Sequence, residues 1–268
     1  MQNNKAMIYS ENGYHFIFAM LEVQQLSVNY RGLQALESIT FHLQAGQVVG
    51  LIGPNGAGKS TLFKALLGLI PVISGKVTYQ DKLLKSQKQR VAYVPQRSQI
   101  DWDYPITVWN VVMMARTLSS GWFHNHSQRS KAVVKEALQK VEMLHLSDRK
   151  ISDLSGGQQQ RVFLARALAQ EVDLFLFDEP LAGVDKKTEE LILDIYSNLK
   201  AEGKTLLVSC HEWGQALNNY DRLILLNQSL IAHGSPQEVM TLENIQSAYG
   251  SSKQVRRLIN PLESIMAC

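Results

Sequence analysis

Cysteine, net charge and long apolar runs are all scarce in this sequence, and each shortage excludes a class of protein. The two cysteines, Cys210 and Cys268, lack the spacing of a metal site or a redox pair, so a reduced, cytosolic compartment fits best. A net charge of +3 over 268 residues is too small to indicate nucleic-acid binding, which needs a concentrated basic patch. No apolar run approaches the roughly 18 residues needed to span a bilayer, so we expect the protein to reach a membrane only by docking on another protein.

The remaining composition is that of an ordinary globular protein. Hydrophobic residues make up 45% and charged residues 19% of the chain, enough for one large domain or for a core with a subdomain. The stretch 1–20 has no clear period, so we expect a disordered extension, and it lacks the features of a signal peptide. We expect the folded domain to cover 20–250 and a weakly structured tail to cover 251–268.

A glycine-rich loop is the most informative motif. It lies between an apolar run at 48–52 and a helical pattern at 62–69, which is the strand, loop and helix order of a phosphate site. Its glycines let backbone N–H groups converge on phosphate oxygens, and the helix N-terminus adds a partial positive charge. Lys59 is expected to reach the β- and γ-phosphates, and the Ser60 hydroxyl to bind Mg²⁺. The loop is formed by Gly53, Pro54, Asn55, Gly56, Ala57, Gly58, Lys59, Ser60 and Thr61.

The spacing of apolar residues predicts an α/β fold around a parallel sheet. Two strands near the N-terminus, at 21–28 and 39–43, are interpreted as an antiparallel pair. Continuous apolar runs predict buried strands at 48–52, 91–94, 174–177, 205–208 and 223–226. Gly75 predicts a break before a further strand at 76–79. Helical spacing predicts an inserted helical segment at 97–160, whose second helix runs from Val133 to Leu144, and a further helix at 186–200. Ser235 and Glu238 form a capping box that predicts the start of another helix.

Two acidic residues follow the apolar run at 174–177. A phosphate loop needs a carboxylate on a neighbouring strand to help hold Mg²⁺, and Asp178 is the candidate. Glu179 is expected to point toward the γ-phosphate, where it could orient or deprotonate water. The alternative is a pair of acids that merely ends a strand, which is common in loops.

A second glycine pair opens a predicted helix. Two adjacent glycines at a helix start allow close approach of an anion, although the same motif could be an ordinary turn with a cap. A head-to-tail dimer, with each nucleotide clamped between one chain's lysine loop and its partner's glycine pair, explains why one chain carries two phosphate cradles. The motif consists of Leu154, Ser155, Gly156, Gly157 and Gln158.

These motifs together resemble those of the ATP-binding subunits of ABC transporters, over about 20–249. The loop matches the family's Walker A motif, 174–179 its Walker B motif, and 154–158 its signature. Gln96 stands at the position of the Q-loop glutamine, His211 at the switch histidine, Asp185 at the D-loop aspartate, and Tyr30 at the aromatic residue that stacks on adenine. Taken alone, these last positions have ordinary interpretations as turn, loop or surface residues.

The resemblance implies a P-loop NTPase fold: a RecA-like parallel-sheet core with an N-terminal antiparallel β subdomain and an inserted helical subdomain. The core and β subdomain would comprise 20–96 and 161–250, and the helical subdomain, with the signature, 97–160. The implied ligands are ATP and Mg²⁺, the metal being held by Ser60, Gln96 and Asp178. Glu179, Gln96 and His211 would be catalytic.

Within the family, the stretch 101–107 resembles the subgroup that imports manganese, zinc or chelated iron. The implied protein is a peripheral subunit on the cytoplasmic face of the inner membrane that hydrolyses ATP to power uptake of a transition metal. Manganese is the first candidate for that metal, and zinc or chelated iron are the others. The implied partners are a second copy of the chain, an integral membrane permease and, indirectly, an extracytoplasmic metal-binding protein; no nucleic acid is expected. The alternative is the ATPase subunit of another ABC transporter, either an importer of a different substrate or an exporter.

Two other patterns are given ordinary interpretations. His124 and His126 lack carboxylate or cysteine neighbours, so an exposed loop is favoured over a metal site. The basic run at 82–90 is interpreted as a solvated face.

Overall fold

The computed structural model describes residues 7–8, 15–16, 19–30, 32–120, 127–210 and 214–250. Backbone contacts divide the chain into two compact units, one formed by Met1–Lys88 with His211–Cys268 and the other by Gln89–Cys210. Each unit is described by itself. The subdomain boundaries expected from the motifs, near 96 and 160, stay a prediction. The expected tail at 251–268, most of the expected extension and the pair His124 and His126 lie outside the described residues.

The first unit contains an antiparallel sheet, in agreement with the sequence. Its strand order is β4–β3–β6–β7. Strands β3 and β4 pair over most of their length, and their apolar residues form one buried face. A separate antiparallel pair, β1 with β2, was not predicted. These strands are β1 (Met7–Ile8), β2 (His15–Phe16), β3 (Ala19–Tyr30), β4 (Leu33–Gln44), β6 (Ser74–Tyr79) and β7 (Lys82–Leu83).

Gly75 lies inside strand β6, whereas the sequence predicted a break there before a strand at 76–79. Its φ of +99° is in the region that favours glycine, and the register with β3 shifts between Gln24 and Ser27. A Cβ at Gly75 would lie 2.5 Å from the Cα of Leu26. The glycine therefore allows a bulge within the strand rather than an end to it.

The first unit also holds the strand that leads into the glycine-rich loop. This strand, β5, is buried along its whole length and pairs in parallel with β11, while β12 adds an antiparallel neighbour to β11. The sequence missed β12, whose residues are mostly half-buried and show no period-2 pattern. The elements are β5 (Val48–Ile52), α1 (Lys59–Leu66), β11 (Arg222–Asn227), β12 (Ser229–Gly234), α6 (Pro236–Val239) and α7 (Leu242–Tyr249).

The second unit is built on three parallel strands in the order β10–β9–β8. The predicted buried runs are confirmed: β9 and β10 are buried at every position, and Phe177 of β9 stacks on Tyr196 of a covering helix. The elements are β8 (Val91–Val94), α2 (Val108–Ser120), α3 (Gln128–Lys140), α4 (Gly156–Leu168), β9 (Leu174–Asp178), α5 (Lys186–Ala201) and β10 (Thr205–Ser209).

Helix α3 ends earlier than its apolar spacing suggests. Val141 and Leu144 continue the helical period and were predicted to belong to the helix, but the helix stops at Lys140. Glu142 has a left-handed φ of +56°, which ends the helix and turns the chain. Among the helices of the described ranges, none has the length and apolar character needed to cross a membrane.

Candidate functional site

The glycine-rich loop of the first unit is closed around its own lysine. Lys59 is 6% exposed, and its ammonium donates to the carbonyl oxygens of Gly53, at 2.7 Å, and Pro54, at 3.2 Å. Helix α1 begins at Lys59, three residues before the predicted start, and its N-cap Gly58 offers no side chain to the first turn. Such a helix start, with its backbone N–H groups and the positive end of the helix dipole, is a typical site for an anion.

Two glycines show why the loop has this composition. Gly58 has φ +97°, and a Cβ there would lie 2.6 Å from Leu36 Cδ2 and 2.8 Å from the carbonyl oxygen of Ala35. Gly56 has φ +81°, and no atom of the described residues lies within 4 Å of the corresponding position, so they leave this side of the loop open. A tight inner face and an open outer face fit a cradle for phosphate groups.

The other predicted loop residues hold or flank this cradle. Ala57 is buried, its N–H donating to the carbonyl of Pro54 and its own carbonyl accepting from the N–H of Gln228. Asn55 is exposed, and Ser60 and Thr61 are half-buried on the first turn of α1.

In the second unit, the two acidic residues stand at the end of β9, as predicted. Asp178 is fully buried, and its Oδ1 accepts a hydrogen bond of 2.8 Å from the Ser209 hydroxyl. The backbone N–H of Glu179 donates to the same hydroxyl oxygen at 2.9 Å. Glu179 has a φ of +53°, a left-handed conformation that a residue with a side chain seldom adopts. Asp178 is therefore held in a defined orientation, and the backbone of Glu179 in a strained conformation.

Two residues of the neighbouring strand β8 and its following loop complete this cluster. Gln96 donates from Nε2 to Glu179 Oε2 at 2.6 Å, so the predicted Q-loop glutamine and the predicted catalytic acid are in contact. The Tyr93 side chain lies near Asp178, within reach of the charge of that carboxylate. Burial raises the pKa of Tyr93, and the charge of Asp178 raises it further, so the phenol stays neutral.

The signature residues begin helix α4 with a capping box. Ser155 Oγ accepts from the N–H of Gln158 at 3.4 Å, and Gln158 Oε1 accepts from the N–H of Ser155 at 2.9 Å. Both glycines are tightly packed: a Cβ at Gly157 would lie 3.0 Å from Thr188 Oγ1, and one at Gly156 would lie 3.1 Å from Arg97 Cζ. A side chain at either position would need Thr188 or the guanidinium of Arg97 to move, and the interpretation as an ordinary cap describes the local structure correctly.

Asp185 lies beside the signature and caps helix α5. Its carboxylate accepts from the N–H of Thr188 at 2.9 Å and from the Thr188 hydroxyl at 3.1 Å. The backbone N–H of Thr188 is the main cause that lowers the pKa of Asp185. A Cβ at Gly157 would be 3.1 Å from Asp185 Oδ2, so the predicted D-loop residue and the signature are neighbours within this unit.

Two predicted site residues have no described side chain. Tyr30 ends strand β3, and only its backbone is described, while His211 lies outside the described residues. Conversely, sequence reasoning missed Ser209, which donates a hydrogen bond to Asp178, and Tyr93, which lies near it. Ser209 did carry one signal, because it is the polar residue at the carboxyl end of a buried parallel strand, where ligand residues gather in α/β proteins.

Three comparisons relate the chain to known proteins. Residues 36–182 match the family model described as ABC transporter. The zinc transport system ATP-binding protein TroB of Treponema pallidum is 46% identical over 230 residues, 86% of this chain and 86% of that protein. The manganese transport system ATP-binding protein MntB of Bacillus subtilis is 44% identical over 230 residues, 86% of this chain and 92% of that protein.

Solved structures agree with these matches. One described as a metal-chelate type ABC transporter in an inward-facing conformation is 27% identical, with a TM-score of 0.76 over 87% of this chain and 89% of that chain. A nucleotide-free ATP-binding cassette from an ABC transporter, 24% identical, has a TM-score of 0.71 over 90% of this chain and 98% of that one. This second likeness shows the fold.

Proposed function

This chain belongs to the ABC transporter family of ATP-binding proteins, and we propose that it powers uptake of a transition-metal ion through a membrane permease. Membership makes it a nucleotide-binding, ATP-hydrolysing transport subunit with a permease as partner. Manganese is the first candidate for the cargo and zinc the second, because the similar proteins named above serve manganese and zinc transport systems. Chelated iron, or another substrate of the family, is the alternative.

The observation that carries the catalytic part of the proposal is the contact between Gln96 and Glu179 next to buried Asp178. Glu179 orients or deprotonates the water that attacks the γ-phosphate, with Gln96 aligning the carboxylate and His211 assisting. The loop 53–61 and Lys59 bind the phosphates. Tyr30 provides a flat surface for adenine.

A magnesium ion fits the available donors. Ser60, Gln96 and Asp178 offer a hydroxyl, an amide oxygen and a carboxylate, and oxygen ligands are those that Mg²⁺ prefers. When bound, the ion neutralises charge on the phosphate oxygens. The protein's own contribution is to keep Asp178 oriented and shielded from bulk water.

We place the chain in a head-to-tail dimer on the cytoplasmic face of the inner membrane. Ser155, Gly156, Gly157 and Gln158, with Asp185 beside them, then serve the nucleotide held by the partner's lysine loop, so that one two-fold interface builds two equivalent sites. The stretch 101–107, where Tyr104 is 61% exposed, docks on the permease. An extracytoplasmic binding protein delivers the metal, which never touches this chain.

Uptake by the purified complex tests the proposal. The chain is co-purified with its permease, reconstituted in vesicles and supplied with ATP and radiolabelled manganese, zinc or chelated iron. We expect ATP-dependent manganese uptake that Glu179→Gln abolishes. Glu179→Gln should lower ATP hydrolysis by about 10²–10⁴-fold, the usual contribution of a general base, or about 3–5 kcal/mol. ATP binding should survive in this variant, whereas Lys59→Ala should weaken it.

Sedimentation of the same variant tests the dimer. In Glu179→Gln protein, Mg-ATP should shift the chain from monomer to dimer, and ADP should not. Ser155→Trp should abolish this shift, while Ser197→Trp, a change at another exposed serine of the same unit, should not. Glu179→Gln protein that hydrolyses ATP at the parental rate, or that stays monomeric with Mg-ATP even on the assembled permease, would contradict these assignments.

A further inference from the structure

One hydroxyl group contacts both of the consecutive acids at the end of β9. Ser209 is the last residue of β10 and lies directly opposite Asp178 in the parallel register. Its Oγ donates to Asp178 Oδ1 at 2.8 Å and accepts the backbone N–H of Glu179 at 2.9 Å. Ser209 is fully buried, so water does not compete for either bond.

The two hydrogen bonds are not interchangeable in direction. A backbone N–H only donates, so the Ser209 oxygen accepts the amide of Glu179 and its own hydroxyl proton is donated to Asp178 Oδ1. The oxygen then presents its lone pairs to the only other partner described for it, the N–H of Glu179. The orientation of the Asp178 carboxylate and the position of the Glu179 amide are therefore set by the same atom.

The Glu179 backbone needs such a contact. Its φ of +53° is strained for a residue with a side chain, and such a conformation persists only where its surroundings impose it. The bond from its N–H to Ser209 is one such restraint, and the 2.6 Å contact of its carboxylate with Gln96 is a second. Removal of the first restraint would let the backbone relax toward a commoner conformation and swing the carboxylate away from Gln96.

We propose that Ser209 is a positioning residue for ATP hydrolysis, which fixes Asp178 and Glu179 relative to each other without touching the nucleotide. The inference rests on the proposed roles of these two acids. Its chemistry belongs to the protein alone, because both hydrogen bonds are made before any nucleotide binds. A simpler role, in which Ser209 only satisfies a buried carboxylate, predicts lower stability and no specific loss of turnover.

Three substitutions at this position separate the two roles. Ser209→Ala removes both hydrogen bonds, Ser209→Cys keeps the shape with a weak donor and acceptor, and Ser209→Thr keeps the hydroxyl. Thr205→Val is the matched control, because Thr205 is an equally buried hydroxyl residue at the other end of the same strand. Each variant is measured on the permease complex for kcat, for the KM of ATP and for thermal stability.

We expect Ser209→Ala to lower kcat by about 10–100-fold, since a small misplacement of a catalytic group can cost about a factor of 100, and to leave the KM of ATP little changed. Ser209→Cys should resemble Ser209→Ala, and Ser209→Thr should recover most of the parental kcat. Thr205→Val should lower stability without lowering kcat. An unchanged kcat in Ser209→Ala, or an equal kcat loss in Thr205→Val, would overturn the proposal.

A measurement on the parental chain tests the proposal even if the Ser209 variants do not fold. The Glu179 amide should exchange with solvent deuterium slowly in the nucleotide-free protein, because its N–H is donated to a buried oxygen, and rapid exchange would overturn the proposal. The half-saturating Mg²⁺ concentration for binding a fluorescent ATP analogue should rise in Ser209→Ala. If the parental complex does not hydrolyse ATP, the proposed function fails, whereas amide exchange still tests the hydrogen bonds of Ser209.

Discussion

Replacement of Gly58 by alanine should destabilise the protein far more than the same replacement at Gly56. The two glycines belong to one loop and share a left-handed backbone, with φ of +97° and +81°. They differ in their surroundings: a Cβ at Gly58 would meet a backbone oxygen at 2.8 Å and a leucine methyl at 2.6 Å, while a Cβ at Gly56 would meet nothing within 4 Å. The pair therefore separates the cost of the backbone conformation from the cost of steric overlap.

The magnitudes follow from these two terms. A left-handed conformation costs an alanine about 1–2 kcal/mol, which is the expected loss of unfolding free energy for Gly56→Ala. Overpacking of a tight site adds about 1–3 kcal/mol. Because the oxygen at 2.8 Å belongs to the Ala35 backbone of strand β4, it cannot rotate away, and Gly58→Ala should lose about 2–5 kcal/mol in all.

Urea unfolding of the nucleotide-free chain, followed by far-ultraviolet circular dichroism, measures both losses. Absence of nucleotide matters, since any change in ligand affinity would otherwise add to the difference. Equal losses in the two variants would refute the reasoning, because they would mean that the loop moves away from β4 at no cost. A loss in Gly58→Ala smaller than in Gly56→Ala would refute it more strongly.

Two further predictions concern side chains outside the acid cluster. Burial lowers the pKa of His233 to about 4, and nearby Arg222 and His42 lower it further, so the unfolded chain takes up a proton at a higher pH than the folded one. The free energy of unfolding should therefore fall as the pH drops from about 6.5 to about 4. Urea titrations at several pH values should show a smaller fall in His233→Gln. Arg97→Ala removes the 2.9 Å hydrogen bond to the buried amide oxygen of Gln159 and should lower the unfolding free energy by about 1–3 kcal/mol. A loss under about 0.5 kcal/mol, the usual effect of a surface substitution, would contradict a stabilising role for this bond.

Structural features that depend on neighbouring residues in the chain were predicted well. The capping box predicted at Ser235 needs only the spacing of serine and its partner three residues later, and it is formed. Strands β5 and β9 were identified because a strand covered on both faces carries a continuous apolar run.

The features that the sequence did not reveal depend on pairing between distant segments. Ser209 meets Asp178 only because β10 and β9 pair in one register, and a register shifted by one residue would turn Ser209 to the opposite face. The left-handed φ of Glu179 likewise has no signal in the residue type, since glycine and asparagine are the usual markers of that conformation. The bulge at Gly75 follows from the close approach of Leu26 in the adjacent strand.

The capping role of the signature and its proposed role toward a partner's nucleotide are compatible, because they use different atoms. In the cap, Ser155 Oγ and Gln158 Oε1 both act as acceptors of backbone N–H groups. A phosphate or ribose oxygen needs donors, which are the hydroxyl proton of Ser155, the Nε2 amide of Gln158 and the backbone N–H groups of Gly156 and Gly157. The cap orients these donors at the helix start and consumes none of them. A nucleotide held by a second copy of the chain could therefore be bound without unwinding α4, and the signature needs no rearrangement to exchange one role for the other.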